Sequence, residues 1–80
     1  MEKAIVKNTA ETEAKGLAGR HGLVFGWTTP SVTQVSVIGA TDDDLAVNVF
    51  FEDLDRDFWF CEAVLEFYDD GVEAEFQVDI

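Results

Sequence analysis

Leu45-Ala46-Val47-Asn48-Val49-Phe50-Phe51 is the stretch that decides how this chain folds. Side chains of a strand alternate between its faces, which puts Leu45, Val47, Val49 and Phe51 on one side and Ala46, Asn48 and Phe50 on the other. Both sides are apolar enough for a strand at the centre of its sheet. Working outward, residues 72–80 repeat the period: Val72, Ala74, Phe76, Val78 and Ile80 alternate with Glu73, Glu75, Gln77 and Asp79, a half-buried strand with an acidic outer face. Leu23, Phe25 and Trp27 share a face in residues 22–27, Val35 and Val37 mark a strand in residues 34–38, and residues 4–7 supply another. Phe58-Trp59-Phe60 adds an aromatic strand.

Turn residues separate these runs. Asp69-Asp70-Gly71 suits a hairpin turn that needs positive φ, and Asp42-Asp43-Asp44 suits a tight connection. Thr28-Thr29-Pro30-Ser31 reads as a longer loop, because proline has no place in a central ladder. Only residues 62–68 could be helical, for one or two turns at most. The expected architecture is all-β, a single domain over residues 1–80: a small barrel of about five or six antiparallel strands, favoured over a sandwich because closure removes edges that invite aggregation. At 80 residues the chain must pack well, and its 48% hydrophobic content, with seven Phe and two Trp, provides the means and argues against disorder.

The residues resemble a known pattern. Gly16-Leu17-Ala18-Gly19-Arg20-His21-Gly22-Leu23-Val24-Phe25-Gly26, then Ala46-Val47-Asn48-Val49, then Phe58-Trp59-Phe60-Cys61-Glu62-Ala63-Val64-Leu65-Glu66 look like the SH3-like barrel. A glycine-rich strand opening leads there to a hairpin, and an aromatic strand ends in a short turn carrying a leucine. Within that superfold, order and spacing over residues 6–71 are similar to small bacterial immunity proteins, encoded beside polymorphic toxins and thought to neutralise them by binding. Accessory domains of the photosystem and nitrile-hydratase type have similar glycine spacing. The chain departs from the immunity pattern in its denser acidic tail and in the added strand at residues 72–80.

Charge is the functional clue. Residues 42–80 hold 14 acids and one base, Arg56, while residues 1–41 hold three acids and four bases, so the net −12 resides in the second half. Such a surface repels nucleic acid and anionic lipid and attracts a basic partner, and Lys3, Lys7, Lys15 and Arg20 are too few to offset it by counterion release. Nowhere do 18 apolar residues run together, nor does the N-terminus resemble a signal peptide. A lone cysteine, Cys61, fits a reducing compartment, so the expectation is a cytoplasmic protein.

Catalytic and metal chemistries are weaker readings. Cys61 with His21 could form a nucleophilic pair, but a thiol after three aromatics more often behaves as a small buried hydrophobe, and His21 reads as an exposed turn residue. Asp53, Asp55 and Asp57 alternate as in the opening of an EF-hand loop, yet Phe58 stands where that loop requires glycine and Val64 where it requires glutamate. Gly16, Gly19, Gly22 and Gly26 lead into a strand and lack the lysine and helix of a phosphate loop. No catalytic residue, metal ligand or cofactor is assigned.

The expected function is a non-enzymatic acidic protein-binding module that docks on a basic protein through Glu52, Asp53, Asp55 and Asp57, with Trp59 as aromatic anchor or core residue. The acids are expected to gather over one region. The immunity resemblance implies that the partner is a toxin domain. The alternatives are an accessory or regulatory module of an enzyme complex, joined through a salt-insensitive apolar interface of roughly 800 Å² per partner, and a soluble protein whose acidity serves only solubility.

Overall fold

A computed structural model describes residues 2–39 and 43–69 of the chain. Asp70-Gly71 of the expected turn and the strand at residues 72–80 fall outside them, as does Asp42. Six strands, β1 (Glu2–Val6), β2 (His21–Thr28), β3 (Val37–Ile38), β4 (Ala46–Phe51), β5 (Arg56–Cys61) and β6 (Leu65–Asp69), form one sheet in the order β3-β5-β4-β2-β1-β6. The sheet curls into a half-barrel, in keeping with the expected all-β small barrel. A 3-10 turn at Glu62–Val64 carries the chain from β5 to β6, which returns to pair antiparallel with β1.

β4 is central, between β5 and β2, as its two apolar faces require. Val47, Val49 and Phe51 are fully buried on the concave side with Ala4, Val6, Leu17, Ile38, Phe60 and Leu65. Phe51, Phe58 and Phe60 pack there as a trio with ring centroids 6.0 to 6.4 Å apart, in tilted and edge-to-face geometry. Cys61 is buried, as a small hydrophobe would be.

Several expectations are corrected. The face assigned to Leu23, Phe25 and Trp27 is broken by a bulge: Val24 faces Val49 and Gly26 faces Asn48, leaving Phe25 as the extra residue. Leu23 therefore shares the outer face with Phe50, whereas Trp27 pairs with buried Val47 and stacks on Phe67 of β6, centroids 5.8 Å apart. The strand expected over residues 34–38 shrinks to Val37–Ile38 and runs parallel to β5, an exception in an otherwise antiparallel sheet. Two short helices lie outside residues 62–68. The first, α1 (Ala10–Ala14), is held by a capping box in which Thr9 Oγ1 accepts from the Thr12 N–H and Thr12 Oγ1 accepts from the Thr9 N–H. The second, α2 (Pro30–Thr33), begins on the proline that had marked a loop, since proline's fixed φ suits a first helical position. Within residues 62–68 the helical part stops at Val64, where Leu65 turns extended.

Candidate partner-binding face

The β4–β5 hairpin carries the acids singled out in the sequence. Its turn is closed by the Leu54 N–H donating to Phe51 O (3.1 Å) and the Asp55 N–H donating to Glu52 O (3.3 Å). Asp55 takes a left-handed conformation there, φ 53°, which aspartate tolerates better than most residues. Glu52, Asp53 and Asp55 are exposed at this tip, while Leu54 folds back onto the core. Asp53 meets Arg20 at 2.5 Å, and Arg20 is aimed by its Nε donating to Gly16 O at 2.8 Å.

Asp57 and Trp59 lie further along β5, side by side on its outer face at a strand spacing of about 7 Å. Asp57 accepts a hydrogen bond from Asn48 Nδ2 at 2.7 Å, which satisfies an amide that is only 8% exposed. Trp59 is half-buried between Asn48 of β4 and Val37 of β3, outside the phenylalanine trio. The five expected residues therefore occupy one hairpin, three at its tip and two on its flank. Asp53 and Asp57 each turn to a different partner, and among the described residues no three carboxylate, imidazole or thiol groups come together as metal donors.

The acids do not all gather in one region. Asp43, Asp44 and Glu62 stand at the open end of the hairpin, where Ala46 pairs with Cys61, about 17 Å along the strands from the tip. Asp44 ties α2 to the start of β4, because its carboxylate accepts from the Ser31 N–H (2.9 Å) and the Ser31 hydroxyl (2.5 Å). Asp43 hydrogen-bonds Glu62, and that shared contact, with a smaller contribution from partial desolvation and charge repulsion, raises the Glu62 pKa above its ordinary 4.5.

Sequence reasoning missed the aromatic part of this face. The bulge turns Phe25 outward, where it is 62% exposed and stacks on Phe50 with centroids 5.4 Å apart and planes 3° apart. A cleft of about 290 Å³ opens beside them, lined by Lys3, His21, Leu23, Phe50, Glu52, Asp53 and Tyr68. His21 is no turn residue: it begins β2, and its Nδ1 lies 2.8 Å from the Tyr68 hydroxyl in an edge-to-face ring contact. A lone glycine after Phe25 was the available signal for the bulge.

No protein-family model, curated protein or solved structure matches the chain. Among the described residues no helix is long and apolar enough to cross a membrane.

Proposed function

We propose that the chain is a non-enzymatic binding module that docks a basic protein through the outer face of β2, β4 and β5, and that it acts as an immunity-type protein covering a basic toxin domain. The observation that carries this reading is the Phe25–Phe50 stack, held outward beside an acid-tipped hairpin. A ring left 62% exposed forgoes burial worth roughly 1 kcal/mol or more, which a partner restores by covering it. Glu52, Asp53 and Asp55 form the rim: exposed charges steer a basic partner and reject acidic ones, while the desolvated rings provide the affinity. Trp59 on the neighbouring strand extends the same outer surface.

The test is affinity capture from the native lysate with the wild-type chain and Phe25→Asp as parallel baits, at low and high salt. A basic protein retained by the wild type, lost with Phe25→Asp and released as salt rises is the expected result. Equal retention by both baits, or an interaction indifferent to salt, overturns the reading; the latter is the behaviour of an accessory module with an apolar interface.

A further inference from the structure

β5 runs from Arg56 to Cys61, but β3 meets it only where Val37 faces Trp59 and Ile38 faces Phe60. Arg56, Asp57 and Phe58 therefore have β4 on one side and, among the described residues, no strand on the other. The gap originates at the end of α2. Gln34 caps that helix in a left-handed conformation, φ 60° and ψ 31°, so the chain turns there and takes up strand pairing only at Val37. What remains is a cleft of about 470 Å³ lined by Val35, Val37, Phe58 and Trp59, with Glu11 of α1 and Lys15, the residue that caps the end of α1.

We propose that this notch receives an extended segment of the basic partner as an added strand on the free edge of β5. The proposal rests on the reading of the chain as a module for a basic protein. Three features select such an occupant. An open edge offers backbone donors and acceptors to another strand. Successive side chains of that strand alternate, so one apolar group falls on the concave side with Phe58 while its neighbours fall on the outer side with Asp57 and Trp59. The rim itself is balanced, Glu11 and Asp57 against Lys15 and Arg56, whose guanidinium lies 5.0 Å from the Phe58 ring centre, and the exposed tip acids Glu52 and Asp55 next to Arg56 tilt it toward lysine or arginine at those neighbouring positions.

The probe is a capped peptide alternating lysine and valine, titrated into the whole protein and followed by amide NMR and hydrogen exchange. Two control peptides carry backbone N-methyl groups, one on each alternate set of residues, and so keep charge and side chains while blocking one edge of the strand. Saturable binding is expected, with slowed exchange at whichever of the Asp57 and Phe58 amides points away from β4 and none at its neighbour. It should weaken by about tenfold or more with one N-methylated set only, and equally with Val35→Lys. Equal binding of both N-methylated peptides shows mere charge attraction and overturns the proposal. So does an absence of saturable binding, shifts confined to Leu23, Phe25 and Phe50, or self-association of the protein that occupies the notch. Failure here alongside capture that still depends on Phe25 rejects the added strand alone. Capture indifferent to Phe25 rejects the earlier reading.

Discussion

At Gly22 a Cβ would lie 2.4 Å from Val49 Cγ1, 2.9 Å from the Phe50 carbonyl oxygen and 3.0 Å from Phe51 Cε1. The backbone oxygen cannot move aside without disturbing the β2–β4 ladder, so the absence of a side chain is what lets β2 approach the centre of the core. Gly22→Ala should cost about 1–3 kcal/mol, read as a lower urea midpoint at constant slope. At Gly26, beyond the bulge, a Cβ would meet nothing within 4 Å, and the backbone keeps an ordinary φ. Gly26→Ala should therefore stay within about 0.5 kcal/mol of wild type. Equal losses at both positions would show that glycine serves flexibility in this strand and not close approach.

At the scale of elements, the β2 bulge makes the candidate site. Val24, Gly26, Trp27 and Thr28 pair in unbroken order with Val49, Asn48, Val47 and Ala46, so Phe25 contributes no rung to the ladder. Deleting Phe25 should preserve the fold, with stability within about 1 kcal/mol and tryptophan emission unshifted because Trp27 keeps its place on Phe67. A red shift would mean that the extra residue holds the strand in register. This element also marks the limit of what the sequence discloses. Val47, Val49 and Phe51 were legible as core because each decision is local, one residue in and the next out. Asp57 read as a loop acid, and its place on β5 beside Trp59 emerges only from the pairing with β4. Phe25 over Phe50 was not, because it depends on a pairing register between distant segments and on one uncounted residue. The helix at Ala10–Ala14 escaped because five residues have little intrinsic helicity and this one is held by two threonines, Thr9 and Thr12.

At the scale of the molecule, a net charge of −12 on 80 residues opposes compaction. Raising sodium chloride from about 10 mM to about 500 mM shortens the screening length from tens of ångströms to a few, and the melting temperature should rise by several degrees. An unchanged or lower value would show that ion pairs such as Arg20–Asp53 outweigh the repulsion. The Asp43–Glu62 contact adds a pH dependence of known sign. A carboxyl with a higher pKa in the folded chain than in the unfolded one holds its proton more tightly in the fold. Its stabilisation is full below 4.5 and is lost as pH rises through the raised folded value. Glu62→Gln should flatten the melting temperature across that window and leave the protein more stable than wild type at neutral pH, as thermal melts from about pH 4 to pH 7 would register. No difference between the two proteins would place the proton elsewhere.

β1 lies between β2 and β6, so residues 2–6 find their second neighbour only in residues 65–69. A nascent chain must hold residues 2–6 with one flank unsatisfied until residues 65–69 have been synthesised. Assembly is then paced by closing the longest loop among the described strands, which sets refolding in milliseconds to seconds and leaves the still-open sheet reliant on fast closure or on a chaperone.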